Sequence, residues 1–389
     1  MTRLAAALLI AVSAALPVRA AAPEALTSTP DEEFRPTAPI ALMVDMSSGE
    51  TLFSRQPDRR FVPASLTKIM TAYVAFELID EGKLDPQQRF TMSNAAFRKW
   101  HRVGSTMFLD RGSSTTVEDL LMGIVTVSAN DGCIVLADGI AGSVPKFTAM
   151  MNAKARELGM TNSHYHTPNG WMDQGQTYVT AGDLVKLARA MITRHPRLYR
   201  HYFGHETMTF NGIEQRNHNP IYGHVAGADG VKTGFTNQAG YGFVGSAERN
   251  GRRLLMVLAG MDSGSRRRTE AREFMEWGFH AWKTRPLVAQ GGEVGRAIVQ
   301  GGDKRTVPLV APQAYTTTVR RGQTSNPVIS IRYDGPLRAP VKQGATVATM
   351  VVKQAGQPEI DLPLVAGKSV AAGDTFDRIR DGLATLVGA

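Results

Sequence analysis

The sequence predicts a mixed α/β (α+β) fold: one partly antiparallel sheet covered by helices, then a small all-β domain and a terminal amphipathic helix. Three observations predict it. Strand-like runs joined by short turns lie near both ends of the first 284 residues, with helical spacing between them. After Thr284-Arg-Pro286 the composition changes: all four tryptophans precede that point, and only Met350 of the 17 methionines follows it. Beyond it the chain consists of short β-prone runs separated by Gly and Pro, closed by one stretch with helical spacing.

Taken in order, Met1-Thr-Arg3 and the apolar run Leu4 to Leu16 read as a secretory signal, residues 1–20, with Val18-Arg-Ala20 as its cleavage site. The run is too short to span a membrane, and no later run approaches the ~18 residues required. Residues 21–38 have no periodicity and read as a flexible leader. Ile40–Asp45 and Glu50–Ser54 flank a Ser-Ser-Gly turn and form a predicted hairpin. Pro63 opens a helix whose apolar residues Ile69, Tyr73 and Phe76 recur at helical spacing. Thr116 caps a helix with apolar residues at 117, 120, 121, 124 and 125, and helical spacing resumes through Ile134, Ala137 and Ile140. Thr180-Ala-Gly-Asp183 caps another helix running to about Ile192. Strands follow at 231–235, 241–245 and 254–258, the last two joined by an Asn-Gly turn, and a helix spans about 270–282. These elements make up the region 39–284. The expected β domain covers 285–370, and 371–389 forms the tail helix, with Phe376, Ile379, Leu383, Leu386 and Val387 on one face.

Composition narrows the function. A chain of 389 residues can hold two cored domains, and 43% hydrophobic with 20% charged residues is ordinary for a globular protein. The formal charge of +9 falls to +7 if Arg3 and Arg19 leave with the signal. In an exported protein that favours anionic surfaces over nucleic acid, and the basic residues form no aromatic-interleaved patch. Cys133 is the single cysteine and cannot close an internal disulfide.

Three short motifs carry chemistry. Ser65 and Lys68 lie one turn apart at a helix start, where a hydroxyl beside an amine can become a nucleophile. The bland alternative is a plain helix start with a solvated lysine, and Ser143-Val-Pro-Lys146 repeats the pair with Pro145 expected to spoil a continuous helix. Ser128-Ala-Asn130 falls in a helix junction, and Lys232-Thr233-Gly234 on a predicted strand. In that order and context the three motifs support one another.

On these motifs the sequence resembles the penicillin-binding proteins, and within them the low-molecular-mass serine-type D-alanyl-D-alanine carboxypeptidases. The stretches Pro63–Thr71, Ser128–Cys133, Thr167–Gly170 and Asp229–Thr236 are similar to that subgroup as well. The resemblance implies a DD-peptidase/β-lactamase-like antiparallel sheet flanked by helices, and acyl transfer without cofactor or metal. Ser65 would attack the carbonyl of a terminal D-Ala–D-Ala bond, with Lys68 as the base. Burial and Lys232 would both lower the Lys68 pKa from its reference of ~10.4. Ser128 would relay the proton to the leaving amine, and Asn130 would hold the substrate amide and Lys68. Lys232 and Thr233 would receive the substrate carboxylate, and Gly234 would allow a close backbone approach. The backbone N–H groups of Ser65 and Phe235 would form the oxyanion hole, and Arg267 is a further candidate for the carboxylate. The implied partners are a peptidoglycan stem peptide ending in D-Ala-D-Ala, β-lactams as covalent inhibitors, and a membrane surface touched by residues 374–389. The implied location is the periplasm, on the outer face of the inner membrane.

Other features point elsewhere or depart from the pattern. His164 and His166 lack a third ligand at metal spacing, and there is no Gly-x-Ser-x-Gly elbow. His218 stands where the family usually has arginine, so that contact does not carry over. Residues 161–203 contain no glutamate to activate a deacylating water, which argues against an efficient β-lactamase. A DD-endopeptidase and a non-catalytic peptidoglycan-binding scaffold are the remaining alternatives. Cys133 reads as a small buried apolar residue.

Overall fold

The structure is a computed structural model that describes residues 34–322, 326–354 and 359–374. The expected signal, most of the leader and the tail helix beyond Asp374 lie outside the described residues.

The first part of the described chain is a five-stranded sheet between two helical layers. The chain enters through β1 (Ile40–Asp45) and β2 (Thr51–Arg55), then α1 (Lys68–Asp80). The short strand β3 (Arg89–Thr91), α2 (Asn94–Trp100) and β4 (Ser114–Thr116) follow, then α3 (Val117–Met122), α4 (Asn130–Ala141) and α5 (Val144–Glu157). Next come α6 (Ala181–Arg194), α7 (Pro196–Tyr202) and the hairpin β5 (Thr207–Phe210) and β6 (Ile213–Arg216). Three long strands, β7 (Ala228–Thr236), β8 (Gly240–Arg249) and β9 (Arg252–Met261), and then α8 (Gly264–His280) complete it. The sheet order is β2-β1-β9-β8-β7, and every pairing is antiparallel rather than only some.

Strand alternation splits the core in two. Leu42, Val44, Leu255 and Val257 face the large helical layer, while Ala41, Met43, Leu254 and Met256 face α8. Covering both faces explains why the centres of β8 and β9 are continuously buried instead of alternating, with Leu254–Ala259 of β9 an apolar run. Helix α1 is buried along its first nine residues, Lys68 to Phe76, so it forms the axis of the helical layer. A helix this deep fixes whatever stands at its start.

Local chemistry sets the element boundaries. Thr116 Oγ1 accepts from the Asp119 amide and Thr180 Oγ1 from the Asp183 amide, the two predicted caps. Ser143 likewise caps α5, and Pro145 sits in its first turn, where a missing N–H costs nothing. The helix therefore starts at Val144, contrary to the expectation that Pro145 would spoil it. Helix α8 starts at Gly264, before the expected 270, because Ser263 caps it.

The C-terminal part contains β10 (Trp282–Val288), β11 (Glu293–Gln300), β12 (Thr306–Val310) and β13 (Tyr315–Arg320). It continues with β14 (Val328–Arg332), β15 (Leu337–Arg338), β16 (Thr346–Lys353) and β17 (Ile360–Ala366). Six strands form a sheet in the order β14-β16-β17-β12-β11-β15 over their own core, and β10 pairs with β13. This part joins the first through a buried polar seam. The Thr318 hydroxyl donates to Asp45 Oδ2 at 2.9 Å, Glu50 accepts from Thr317 and Thr318, and Arg252 Nε donates to Asp45 at 2.6 Å.

Candidate active site

Ser65 sits in a single 3-10 turn, Ala64–Thr67, that leads directly into α1. Two glycines let other backbone segments approach this turn. A Cβ on Gly234 would lie 2.7 Å from the Pro63 carbonyl, so β7 can lie against the Ser65 turn only without a side chain there. A Cβ on Gly170, at φ +71°, would overlap the Ala64 carbonyl. The expected close approach at Gly234 is present, and the approaching backbone is the chain's own.

Lys68 is fully buried, and its ammonium donates to three oxygens. These are Ser65 Oγ at 2.8 Å, Asn130 Oδ1 at 2.8 Å and the Asn169 carbonyl at 2.7 Å. Burial, rather than burial and Lys232 together as expected, pulls its pKa down to about 8, against the opposing fields of Cys133 and Asp131. Asn130 is held on its other side, where Nδ2 donates to the Val103 carbonyl at 2.9 Å. Asp131 accepts from the amides of Met107, Leu109 and Gly132, which tie the loop before α3 to the start of α4. Burial raises its carboxyl pKa, and those amides oppose the shift.

The junction between α3 and α4 widens into one π-helical turn, Gly123–Val127, and ends at Ser128 in the left-handed region, φ 63°. Such a backbone is uncommon for a residue other than Gly, Asn or Asp. Here it turns Ser128 into the cavity, where its hydroxyl bonds no described residue. It does not cap α4, whose N-cap is Ala129.

The cavity, about 500 Å³, lies between this junction and β7, the edge strand of the sheet. Ser65, Ser128, Asn130, Thr233, Gly234, Phe235 and Arg267 all line it. Lys232 is buried beneath this wall and donates to the Thr233 carbonyl at 3.1 Å. Burial pushes its pKa well below the usual lysine range, and the charges of Lys68 and Arg267 add to the effect. Arg267 reaches over from α8, with Nη1 donating to the Gly234 carbonyl at 3.3 Å and the guanidinium over the Tyr241 ring. Phe235 is exposed and stacks on Tyr241, with ring centroids 4.1 Å apart. One wall is therefore cationic and contains a free strand edge. The opposite wall carries two hydroxyls and an amide around one buried amine.

The sequence reading missed several residues. Asn169 supplies a backbone acceptor for Lys68, a role that no side-chain pattern could reveal. Trp171 and Tyr241 also line the cavity, as does His218, which the sequence marked as a departure and gave no contact. Burial and the Lys232 and Arg267 charges lower the His218 pKa, so this imidazole is biased toward neutrality. Cys133 is fully buried with its thiol pushed up to about 12. Ser143, the rival serine, accepts a bond from the Lys146 amide as a helix cap. His164 is paired with Tyr178 through the backbone, and no group of three His, Cys, Asp or Glu side chains placed to hold a metal ion occurs among the described residues.

Comparison with known proteins gives the family. Residues 26–263 match the family model described as D-alanyl-D-alanine carboxypeptidase, and residues 282–372 match that of the penicillin-binding protein 5 C-terminal domain. The D-alanyl-D-alanine carboxypeptidase DacA of Haemophilus influenzae is 33% identical over 356 residues, covering 90% of both chains. The crystal structure of penicillin-binding protein 5 from Haemophilus influenzae superposes with a TM-score of 0.78 at 32% identity, over 87% of this chain and 99% of that one. Penicillin-binding protein D2 of Listeria monocytogenes, solved in its cefotaxime-bound form, has a TM-score of 0.58 at 28% identity, over 64% of this chain and 99% of that one.

Proposed function

The chain belongs to the D-alanyl-D-alanine carboxypeptidase family, and from that premise we propose that Ser65 carries its acyl transfer. The protein is a serine-type D-Ala-D-Ala carboxypeptidase, of a family that acts on peptidoglycan D-Ala-D-Ala and binds β-lactams. The observation that carries the site assignment is the buried Lys68 ammonium 2.8 Å from Ser65 Oγ.

In the proposed cycle Ser65 Oγ attacks the carbonyl of the penultimate D-alanine and its proton passes to Lys68. With a pKa of about 8, roughly a tenth of Lys68 is neutral at pH 7, enough for a poised base. The charge of Lys68 adds to burial in disfavouring charge on Lys232. A substrate carboxylate arriving at Lys232, Thr233 and Arg267 restores the charge on Lys232 and leaves Lys68 as the neutral partner. Two backbone N–H groups, those of Ser65 and Phe235, receive the developing oxyanion. Ser128 passes the proton to the leaving amine, the C–N bond breaks and D-alanine departs. Water then hydrolyses the Ser65 ester. The free edge of β7 suits an extended peptide lying along it.

Enzymes of this type work in the periplasm or at the cell wall. We infer that residues 1–20 direct export, that 39–284 and 285–370 are the catalytic and β domains, and that 374–389 rests on the outer face of the inner membrane. Deleting 374–389 and fractionating cells tests the last point: unchanged membrane association would refute it. Incubation with a D-Ala-D-Ala pentapeptide tests the function. D-alanine release is expected from the unmodified protein, and release persisting in Ser65→Ala would exclude Ser65 as the nucleophile.

A further inference from the structure

At the opposite edge of the sheet from β7, β1 and β2 meet α6 around a second cavity of about 660 Å³. Sites for small molecules typically measure roughly 300–1,000 Å³. Leu42 and Val44 of β1 and Val185 of α6 form an apolar wall, and Arg189 stands one turn beyond Val185 on the same helix face. The Arg189 guanidinium is half-buried and bonds no described residue, although its backbone carbonyl is used by Thr193. Lys186, at the rim, is already paired with Asp183 and the Gly159 carbonyl. The nearest acid field on Arg189 is that of Asp45, which is itself committed to Arg252, Thr318 and the Ser47 amide. Burial lowers the pKa of Arg189, and Asp45 only partly opposes this. A partly desolvated cation without an anion is unfavourable, and an anion entering the cavity would relieve it.

We propose that this cavity is a second ligand site, which takes a small apolar carboxylate. Arg189 would hold the carboxylate in its planar fork while the hydrocarbon packs on Leu42, Val44 and Val185. One uncommitted cation above an apolar wall matches a monoanion with an aliphatic body, and it disfavours sugars and polyphosphates. The site uses none of the acyl-transfer residues, so it stands independently of the catalytic assignment.

Calorimetric titration of octanoate into the full-length protein tests the proposal, with Ser65→Ala, Arg189→Met and the neutral analogue 1-octanol in parallel. Octanoate should bind the unmodified and Ser65→Ala chains equally. It should bind Arg189→Met about tenfold more weakly or worse, the usual consequence of losing a charge-assisted bond. The unmodified chain should bind 1-octanol about tenfold more weakly than octanoate, a comparison that holds even if Arg189→Met fails to fold. Absent binding, equal affinity for octanol, unchanged affinity in folded Arg189→Met, or loss of binding in Ser65→Ala would each overturn the assignment.

Discussion

The pH dependence of acylation follows from the burial of Lys68. Its pKa is lowered from 10.5 to about 8, and the proposed cycle needs the neutral amine. About 1% of Lys68 is then neutral at pH 6, about half at pH 8 and about nine tenths at pH 9. The sign is fixed by the direction of the shift: a lowered pKa brings the neutral base into the physiological range, so the rate rises with pH and levels off above 8. The second-order rate of labelling by a fluorescent penicillin should climb roughly fiftyfold from pH 6 to pH 8 and less than twofold from 8 to 9. Lys68→Arg sharpens the test, because a guanidinium keeps the charge but cannot become neutral. Loss of the general base should cost about 10²–10⁴ in rate, and crowding in a fully buried position adds to the loss. A flat profile, a midpoint near 10, or Lys68→Arg labelling within tenfold of the unmodified protein would refute Lys68 as the base.

Three further outcomes are expected. Gly234→Ala places a Cβ 2.7 Å from the Pro63 carbonyl and pushes β7 off the Ser65 turn, so penicillin labelling should slow by about a hundredfold while circular dichroism is unchanged. Arg267→Ala should raise KM for a D-Ala-D-Ala peptide by about tenfold or more with kcat nearly constant, since on the proposed reading its charge acts on the carboxylate rather than on the reacting bond. Cys133→Ala should leave labelling within about threefold and lower stability by about 1 kcal/mol, as befits a buried thiol held as a neutral packing group.

The parts of this molecule that the sequence revealed are those with strong local signals. The Thr116 and Thr180 caps, the hairpin around Asn250-Gly251 and the apolar strands 254–258 follow from turn chemistry and periodicity. The order of the serine–lysine, Ser-x-Asn and Lys-Thr-Gly motifs brought Ser65, Ser128, Asn130 and Thr233 to one cavity. What stayed hidden depends on tertiary contact. Asn169 acts through its carbonyl, and Trp171 reaches the site because Gly170 packs under Ala64. The left-handed backbone at Ser128 follows a π-helical turn that apolar spacing reads as ordinary helix. Strand β17 carries Pro363 in a short mixed run and gains its place only by pairing with β16 and β12. Pro145 was misleading for the opposite reason: a helix tolerates proline in its first turn, and Ser143 supplied the cap.

The central claim is that one serine of this chain, Ser65, becomes esterified. Intact protein trapped with benzylpenicillin, digested and mapped by mass spectrometry, should carry a single penicilloyl adduct on the peptide containing Ser65. The same digest of Ser65→Ala should carry none. An adduct on Ser128 or Ser143, or one that survives in Ser65→Ala, would contradict the account.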